Sequence, residues 1–210
     1  MPRPPRISRD AVLGEAVRIL DEEGAEALTM RRLAQRLGVT SPSLYKYFRS
    51  LEEVLEAVTD VIVREIGTRS IHHAHWRAEL TELARGYFRV FQRHPNAMPL
   101  VMRRPVPTTT SLTGLDAVLQ VLLDSGWDIQ PATRALLLVE SYALGAAMTA
   151  AGSAIPHDLE QLEGRPALAA ALEARHPLFR LTEADFEHGL ALLLDGMARE
   201  SAPPCGETDP

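Results

Sequence analysis

Residues 28–48 read LTMRRLAQRLGVTSPSLYKYF, and this run restricts the fold more than any other part of the chain. Apolar residues fall at helical spacing at Leu28, Leu33, Ala34 and Leu37, stop at Gly38, and resume at Val39, Leu44 and Phe48. Two short helices must therefore meet at a tight turn. Ala34 lies where the first helix passes nearest the second, so its small side chain lets the backbones approach. Gly38, four residues on, can take the positive φ that ends a helix. Leu44 plugs the angle between the two helices. Thr40 or Ser41 can cap the second helix through a hydroxyl, and Pro42 fits the first helical turn, where no amide hydrogen is required.

The face of the second helix away from Leu44 offers Thr40, Ser41, Ser43, Tyr45, Lys46 and Tyr47. These hydroxyl, cationic and aromatic groups are the kinds that phosphates and base edges accept. Two short helices at an angle also occur in proteins that never touch nucleic acid, and charge helps to separate the cases. Residues 1–50 hold nine Arg plus Lys against six Asp plus Glu, a balance of +3, whereas the whole chain carries −6 and the remainder therefore −9. A basic head on an acidic body fits a nucleic-acid contact confined to one end.

The segment from Ser8 to Glu23, the turn at Gly24, the run LTMRRLAQRLGVTSPSLYKYF and the following SLEEVLEAV together resemble the N-terminal domain of the TetR family of bacterial transcription regulators. The L-Y-x-Y-F ending with a helix start just behind it is the most specific part of the likeness. The resemblance implies that the segment Ser41 to Tyr47 is a recognition helix for the DNA major groove. It further implies that Thr40, Ser43, Tyr45, Lys46 and Tyr47 match positions contacting bases or phosphates, and that Thr29 caps the preceding helix. Ser41 and Pro42 belong to the same surface. Many members carry a Lys at the start of the fourth helix, where this chain has Leu51. Contact with the DNA backbone is then expected to lean on Arg31, Arg32, Lys46 and Arg49.

A chain of 210 residues with 46% hydrophobic residues can hold a small head and a larger second domain, each with a core. The expected division is a DNA-binding head at 1–50, a connecting helix at 51–67, a helical effector-binding and dimerisation domain at 68–200, and a disordered tail at 201–210. The one cysteine, Cys205, lies in that tail, so no intramolecular disulfide can form and a reducing compartment is the natural reading. No apolar run reaches the roughly 18 residues that span a bilayer, and MPRPPRIS lacks the apolar stretch of a signal peptide. A cytoplasmic protein with no membrane partner is expected.

Beyond Phe48 the pattern is helical throughout and nothing alternates with period two, so the fold class expected is all-α. The spacing predicts helices at 51–67, opened by a Ser50-x-x-Glu53 capping box, at 76–94, at 95–102, at 112–125, at 129–152 and, behind Thr182, at 183–199. The segment 103–112 reads as a loop, and 153–182 as an irregular connection with a turn or two of helix near 167–175. The helix at 129–152 carries Ala143, Gly145, Ala146, Ala147 and Ala150, which permit close helix approach. The final helix carries Phe186, Leu190, Leu193, Leu194 and Met197 on one stripe. On pattern alone both could be an ordinary buried core. The resemblance implies instead that the two helices pair with their copies in a homodimer, setting two recognition helices about 34–36 Å apart on a palindromic double-stranded operator.

In the larger domain Leu80, Leu83, Tyr87, Phe91, Met98, Met102, Leu112, Leu115, Val118, Leu119 and Tyr142 could surround an apolar cavity, or could simply pack against one another. Resemblance to the tetracycline-binding members extends loosely here, through Trp76, Arg104-Pro105, Gly126-Trp127 and YALGAAM. Their metal-binding and drug-binding positions fall on Leu100, about Thr149, Leu83 and Val118, with Tyr87 and Arg104 as the nearest survivors. Without hard oxygen or imidazole ligands a magnesium chelate has nothing to hold it. The effector expected is therefore different and more apolar, with a carboxylate or carbonyl meeting Arg104. The candidate ligand-binding set is Leu83, Tyr87, Leu100, Arg104, Leu115, Val118 and Tyr142.

No metal or other cofactor is expected. His72, His73 and His75 could make a metal-responsive regulator, but no Cys and few carboxylates complete a shell. No nucleophile elbow, phosphate loop, HExxH motif or usable carboxylate pair is present, so no enzyme is expected. The expected function is a ligand-responsive transcriptional regulator, a repressor by family habit. The alternatives are a helical adaptor or a metal-responsive regulator.

Overall fold

The computed structural model of the chain describes residues 7–67, 75–102, 109–152, 164–174 and 180–200. The fold is all-α: α1 (Arg9–Glu23), α2 (Met30–Arg36), α3 (Ser41–Leu44), α4 (Leu51–Gly67), α5 (Trp76–Arg93), α6 (Met98–Met102), α7 (Thr109–Asp124), α8 (Ile129–Ala151), α9 (Pro166–Ala174) and α10 (Glu183–Glu200), with 3-10 turns at Ala25–Ala27 and Pro95–Ala97. Helix starts follow local chemistry. The Ser8 hydroxyl accepts from Ala11 N–H at 3.1 Å, Thr29 accepts from Arg32 N–H at 3.1 Å, and Ser50 accepts from Glu53 N–H at 3.2 Å. Thr182 and Asp185 cap each other at the start of α10, with Asp185 accepting from the Thr182 N–H at 2.9 Å.

Two apolar clusters organise the molecule. The first gathers Val12, Ala16, Ile19 and Leu20 of α1, Leu33 and Ala34 of α2, Leu44, Phe48, and Val54, Val58 and Ile62 of α4. The second joins α5, α7, α8 and α10 around Leu80, Phe88, Phe91, Leu122, Val139, Ala143, Phe186 and Leu190. Ile66, near the end of α4, packs against both, so α4 ties head to body. Val90 and Ala97 from the body belong to the first cluster. Gly86 on α5 marks the closest approach: a Cβ there would press inside contact distance of the Ile66 carbonyl oxygen and lie 3.3 Å from its carbon.

Several local expectations need correction. Helix α7 begins at Thr109, inside the segment read as a loop, and the Thr113 hydroxyl donates to the Thr109 carbonyl at 2.9 Å within it. Neither Thr40 nor Ser41 caps α3 by a hydroxyl-to-backbone bond; the Thr40 and Ser43 hydroxyls instead pair with each other at 2.9 Å. The small residues Ala143, Ala146 and Ala147 are buried in the subunit's own core, as are Phe186, Leu190, Leu194 and Met197. Their close packing serves α5 against α8 and α10 against α8, and Gly189 sits under the Tyr142 ring for the same reason. The tail 201–210 and most of the 153–182 connection lie outside the described residues.

Candidate nucleic-acid interface and its link to the body

The helix-turn-helix is closed by a Schellman turn. Gly38 takes φ 67°, Val39 N–H reaches back to the Ala34 carbonyl at 2.9 Å, and Gly38 N–H bonds to Gln35 at 3.2 Å. Leu44 and Phe48 are fully buried and anchor α3 from below. Helix α3 proper is one turn long, and Tyr47 and Phe48 N–H groups continue it by bonding to the Leu44 carbonyl at 2.9 and 3.1 Å. Tyr47 is half-buried and donates its hydroxyl to the Ile7 carbonyl at 2.6 Å, pinning the chain ahead of α1 to the end of α3. The Arg9 guanidinium lies 4.7 Å over the Phe48 ring.

The sequence-based DNA-contact residues divide by environment. Thr40, Pro42, Tyr45, Lys46 and Arg49 are exposed, Ser41 and Ser43 half-exposed, and Tyr45 is 53% accessible despite its size. Thr29 is the α2 cap, as the resemblance implied. Arg31 is exposed, but Arg32 is drawn into a two-pronged pair with Glu23, at 2.9 Å and 2.7 Å. Arg36 is likewise held by Glu15 at 2.6 Å and Glu22 at 2.8 Å. These pairs clamp α2 to α1. The Arg36 hydrogen bond holds the Glu15 carboxyl below its ordinary range, with Arg18 adding to it, and Arg32 does the same for Glu23. Among the described residues Arg31, Lys46 and Arg49 have no ion-pair partner, so their charge is available at the surface. Leu51 is half-buried against the head core rather than presented outward.

A polar clasp fastens the head to the body. His94, 5% exposed, directs Nδ1 at both carboxylate oxygens of Asp21 at 2.9 Å. Asn96 donates to the Asp21 backbone carbonyl at 3.0 Å. On the other side His94 Nε2 lies 3.6 Å from Glu65 of α4, which also pairs with Arg93 at 2.7 Å. The last turn of α1, the end of α4 and the turn after α5 thus meet at one histidine. Sequence reasoning missed this joint, because Asp21 and His94 are 73 residues apart and neither belongs to a motif.

Of the expected ligand-lining set, Leu83, Tyr87, Leu115, Val118 and Tyr142 belong to the body's apolar cluster, whereas Leu100 does not. Val118 is buried in the core with Leu80, Phe91 and Met98. Leu100 packs against the head cluster, and Met102 and Leu112 are exposed. Tyr142 donates its hydroxyl to the Phe186 carbonyl at 2.9 Å and stacks on Phe186, so it serves the α8–α10 contact. Leu83, Tyr87, Leu115 and Leu119 are half-buried around the core. Arg104 lies outside the described residues, as do His72 and His73. His75 caps α5, its Nδ1 accepting from Arg77 N–H at 3.2 Å. Among the described residues no group of His, Cys, Asp and Glu is arranged to hold a metal ion. One polar pair in the body went unpredicted: Tyr87 donates to Glu140 at 2.6 Å, both half-buried.

A helix-turn-helix head on a larger helical body is the architecture of a bacterial DNA-binding regulator. Residues 12–58 match the family described as bacterial regulatory proteins, tetR family, and residues 72–200 match the tetracyclin repressor-like C-terminal domain. The chain belongs to the TetR family of transcriptional regulators. It is similar to the HTH-type transcriptional repressor DrrR1 of Streptomyces coeruleorubidus, at 29% identity covering 98% of this chain and 83% of that protein. The class A tetracycline repressor from transposon 1721 of Escherichia coli is also 29% identical, covering 92% of each. A possible TetR family regulator from Streptomyces coelicolor A3(2) shares the fold with a TM-score of 0.70 at 28% identity, covering 92% of this chain and all of that one. Among the described residues no helix is long and apolar enough to cross a membrane.

Proposed function

We propose that the chain represses transcription as a homodimer that reads a palindromic operator and is released by a small, largely apolar effector. In this reading residues 1–50 are the reader, 51–67 the connection, and 68–200 the effector-binding and dimerisation part. The observation that carries it is the outward face of the helix-turn-helix. Thr40, Pro42, Tyr45 and Lys46 stand exposed on a turn whose opposite side, Leu44 and Phe48, is fully buried. A helix anchored by buried Leu44 and Phe48 that exposes polar, aromatic and cationic groups suits groove reading. Arg31 and Arg49 flank it as phosphate contacts, while Arg32 supports the head from within. Tyr47 positions the helix through Ile7. Two relatives that carry the name repressor favour repression over activation.

Dimerisation is supported by what the body leaves uncovered. Leu137 and Met148 on α8 are 61% and 62% accessible, and Leu192 on α10 is 59%. Leu138 and Gly145 are exposed on α8 as well, and exposed large apolar side chains on these two helices suit a partner surface. The chain acts by binding rather than by catalysis, and as a reader of genomic operators it works in the cytosol, where the DNA is.

Release requires an effector that prefers a head spacing unable to span two grooves. The joint at His94, together with α4, links the body to both ends of the head and is the route we assign to this coupling. Tetracycline with magnesium should show no tight binding by calorimetry, because Leu100 and Thr149 supply no metal ligand.

Fluorescence anisotropy with DNA flanking the chain's own gene tests the reading. Sequence-selective, salt-sensitive binding is expected, and Lys46→Ala should weaken binding to all sequences while lowering the salt slope by about 1. Absence of binding at low salt would refute it.

A further inference from the structure

Glu140 is a carboxyl set among leucines. One turn to either side of it on α8 lie Leu136 and Leu144, and one turn to either side of Tyr87 on α5 lie Leu83 and Phe91, all part of the body's apolar cluster. Tyr87 gives Glu140 one hydrogen bond, to Oε1. Its second oxygen has no protein partner among the described residues, and no cation pairs with it there. Glu140 as a whole residue is only partly buried.

A lone carboxylate in such surroundings is costly, and an apolar pair of the same shape would join α5 to α8 at least as well. Burial pushes the Glu140 carboxyl above its ordinary range and the Tyr87 hydroxyl higher still, with the Glu140 charge adding to the latter shift.

Resting on the reading of the body as an effector-binding domain, we propose that Tyr87 and Glu140 form the polar end of the effector site. The ligand class they select is an aromatic or otherwise apolar molecule bearing a protonated amine. The ammonium would donate to the open Glu140 oxygen while the Tyr87 ring, 6.4 Å from Phe91 and nearly parallel to it, offers an aromatic face to the cation and to the ligand's apolar part. A carboxylate ligand would meet like charge. This proposal differs from the expectation of a carboxylate or carbonyl meeting Arg104, a residue outside the described ones.

The test uses the full chain and three matched probes, naphthalene-1-methylamine, naphthalene-1-methanol and naphthalene-1-carboxylate, with dissociation constants from calorimetry. The amine should bind about 10- to 100-fold tighter than the other two, the range of a charge-assisted hydrogen bond. Glu140→Gln should erase that preference, whereas Tyr87→Phe, which keeps the carboxyl, should retain it. Equal binding of all three probes, binding of none, or an amine preference that survives Glu140→Gln overturns the proposal. Operator binding by the wild-type chain, measured on the same preparation, keeps this failure distinct from failure of the repressor reading.

Discussion

Replacing Gly86 with alanine sets two known effects against each other. In a helix interior Gly→Ala gains about 0.5–1 kcal/mol from reduced backbone freedom in the unfolded chain. At Gly86 the new Cβ would also collide with the Ile66 carbonyl oxygen, with the Ile66 carbon at 3.3 Å and its Cγ2 at 3.5 Å behind it. The obstacle is backbone in the last turn of α4, so no rotamer change relieves it, and the two helices must part by on the order of 1 Å to regain ordinary contact. Overpacking of that kind costs about 1–3 kcal/mol. The steric term wins, leaving a net loss of about 0.5–2 kcal/mol, or a fall in Tm of roughly 2–6 °C for a chain of this size. Gly14→Ala on exposed α1, where nothing lies within 4 Å of the new Cβ, isolates the favourable term and should raise Tm by about 1–3 °C. Circular-dichroism melts of both variants check the pair. If Gly86→Ala stabilises the protein as Gly14→Ala does, the account of how α4 seats on α5 is refuted. Because α4 carries the head, Gly86→Ala should also change operator affinity, while Gly14→Ala should leave it unaltered.

Four further outcomes are expected. Asp21→Asn and His94→Gln should each destabilise by about 1–2 kcal/mol, with a coupling of at least about 0.5 kcal/mol in a double-mutant cycle; additive effects would remove the clasp from the account. Glu15 and Glu23 are held below the ordinary value of 4.5, so their stabilisation is complete above it and is lost as pH falls through their folded values. Hydrogen exchange in α1 and α2 should therefore rise in that acid range, and less so in Arg36→Ala. Glu140 has the opposite sign: its raised value means stability is lost as pH rises through it, so Glu140→Gln should flatten that part of the thermal-stability profile. Leu137→Glu combined with Met148→Glu should weaken self-association by at least about 100-fold in sedimentation, since facing like charges cost several kcal/mol.

The head was legible because its constraints are local. Gly38, Ala34 and Leu44 act within one corner, and Thr29, Ser50 and Glu53 cap helices through neighbours three or four residues away. Long-range partnerships were not legible. Whether Arg32 faces DNA or Glu23, and whether Tyr47 reads a base or holds Ile7, depends on where α1 lies against α2 and α3. The same limit applies in the body, where apolar periodicity identifies the stripes of α8 and α10 but does not say which neighbour each stripe faces. Phe186 and Leu190 face their own core, and the exposed set is instead Leu137, Met148 and Leu192. Glu140 was overlooked because a single carboxylate within an apolar helix forms no motif. Only its position across from Tyr87 distinguishes it from a surface acid.

The central claim is that two copies of the 28–48 corner read one symmetric site. Hydroxyl-radical footprinting on DNA flanking the chain's own gene measures this directly. The account predicts two protected patches related by a twofold axis, centred about one helical turn apart, and both lost together in Leu137→Glu with Met148→Glu. A single unsplit patch, or protection that persists unchanged in the interface variant, would contradict it.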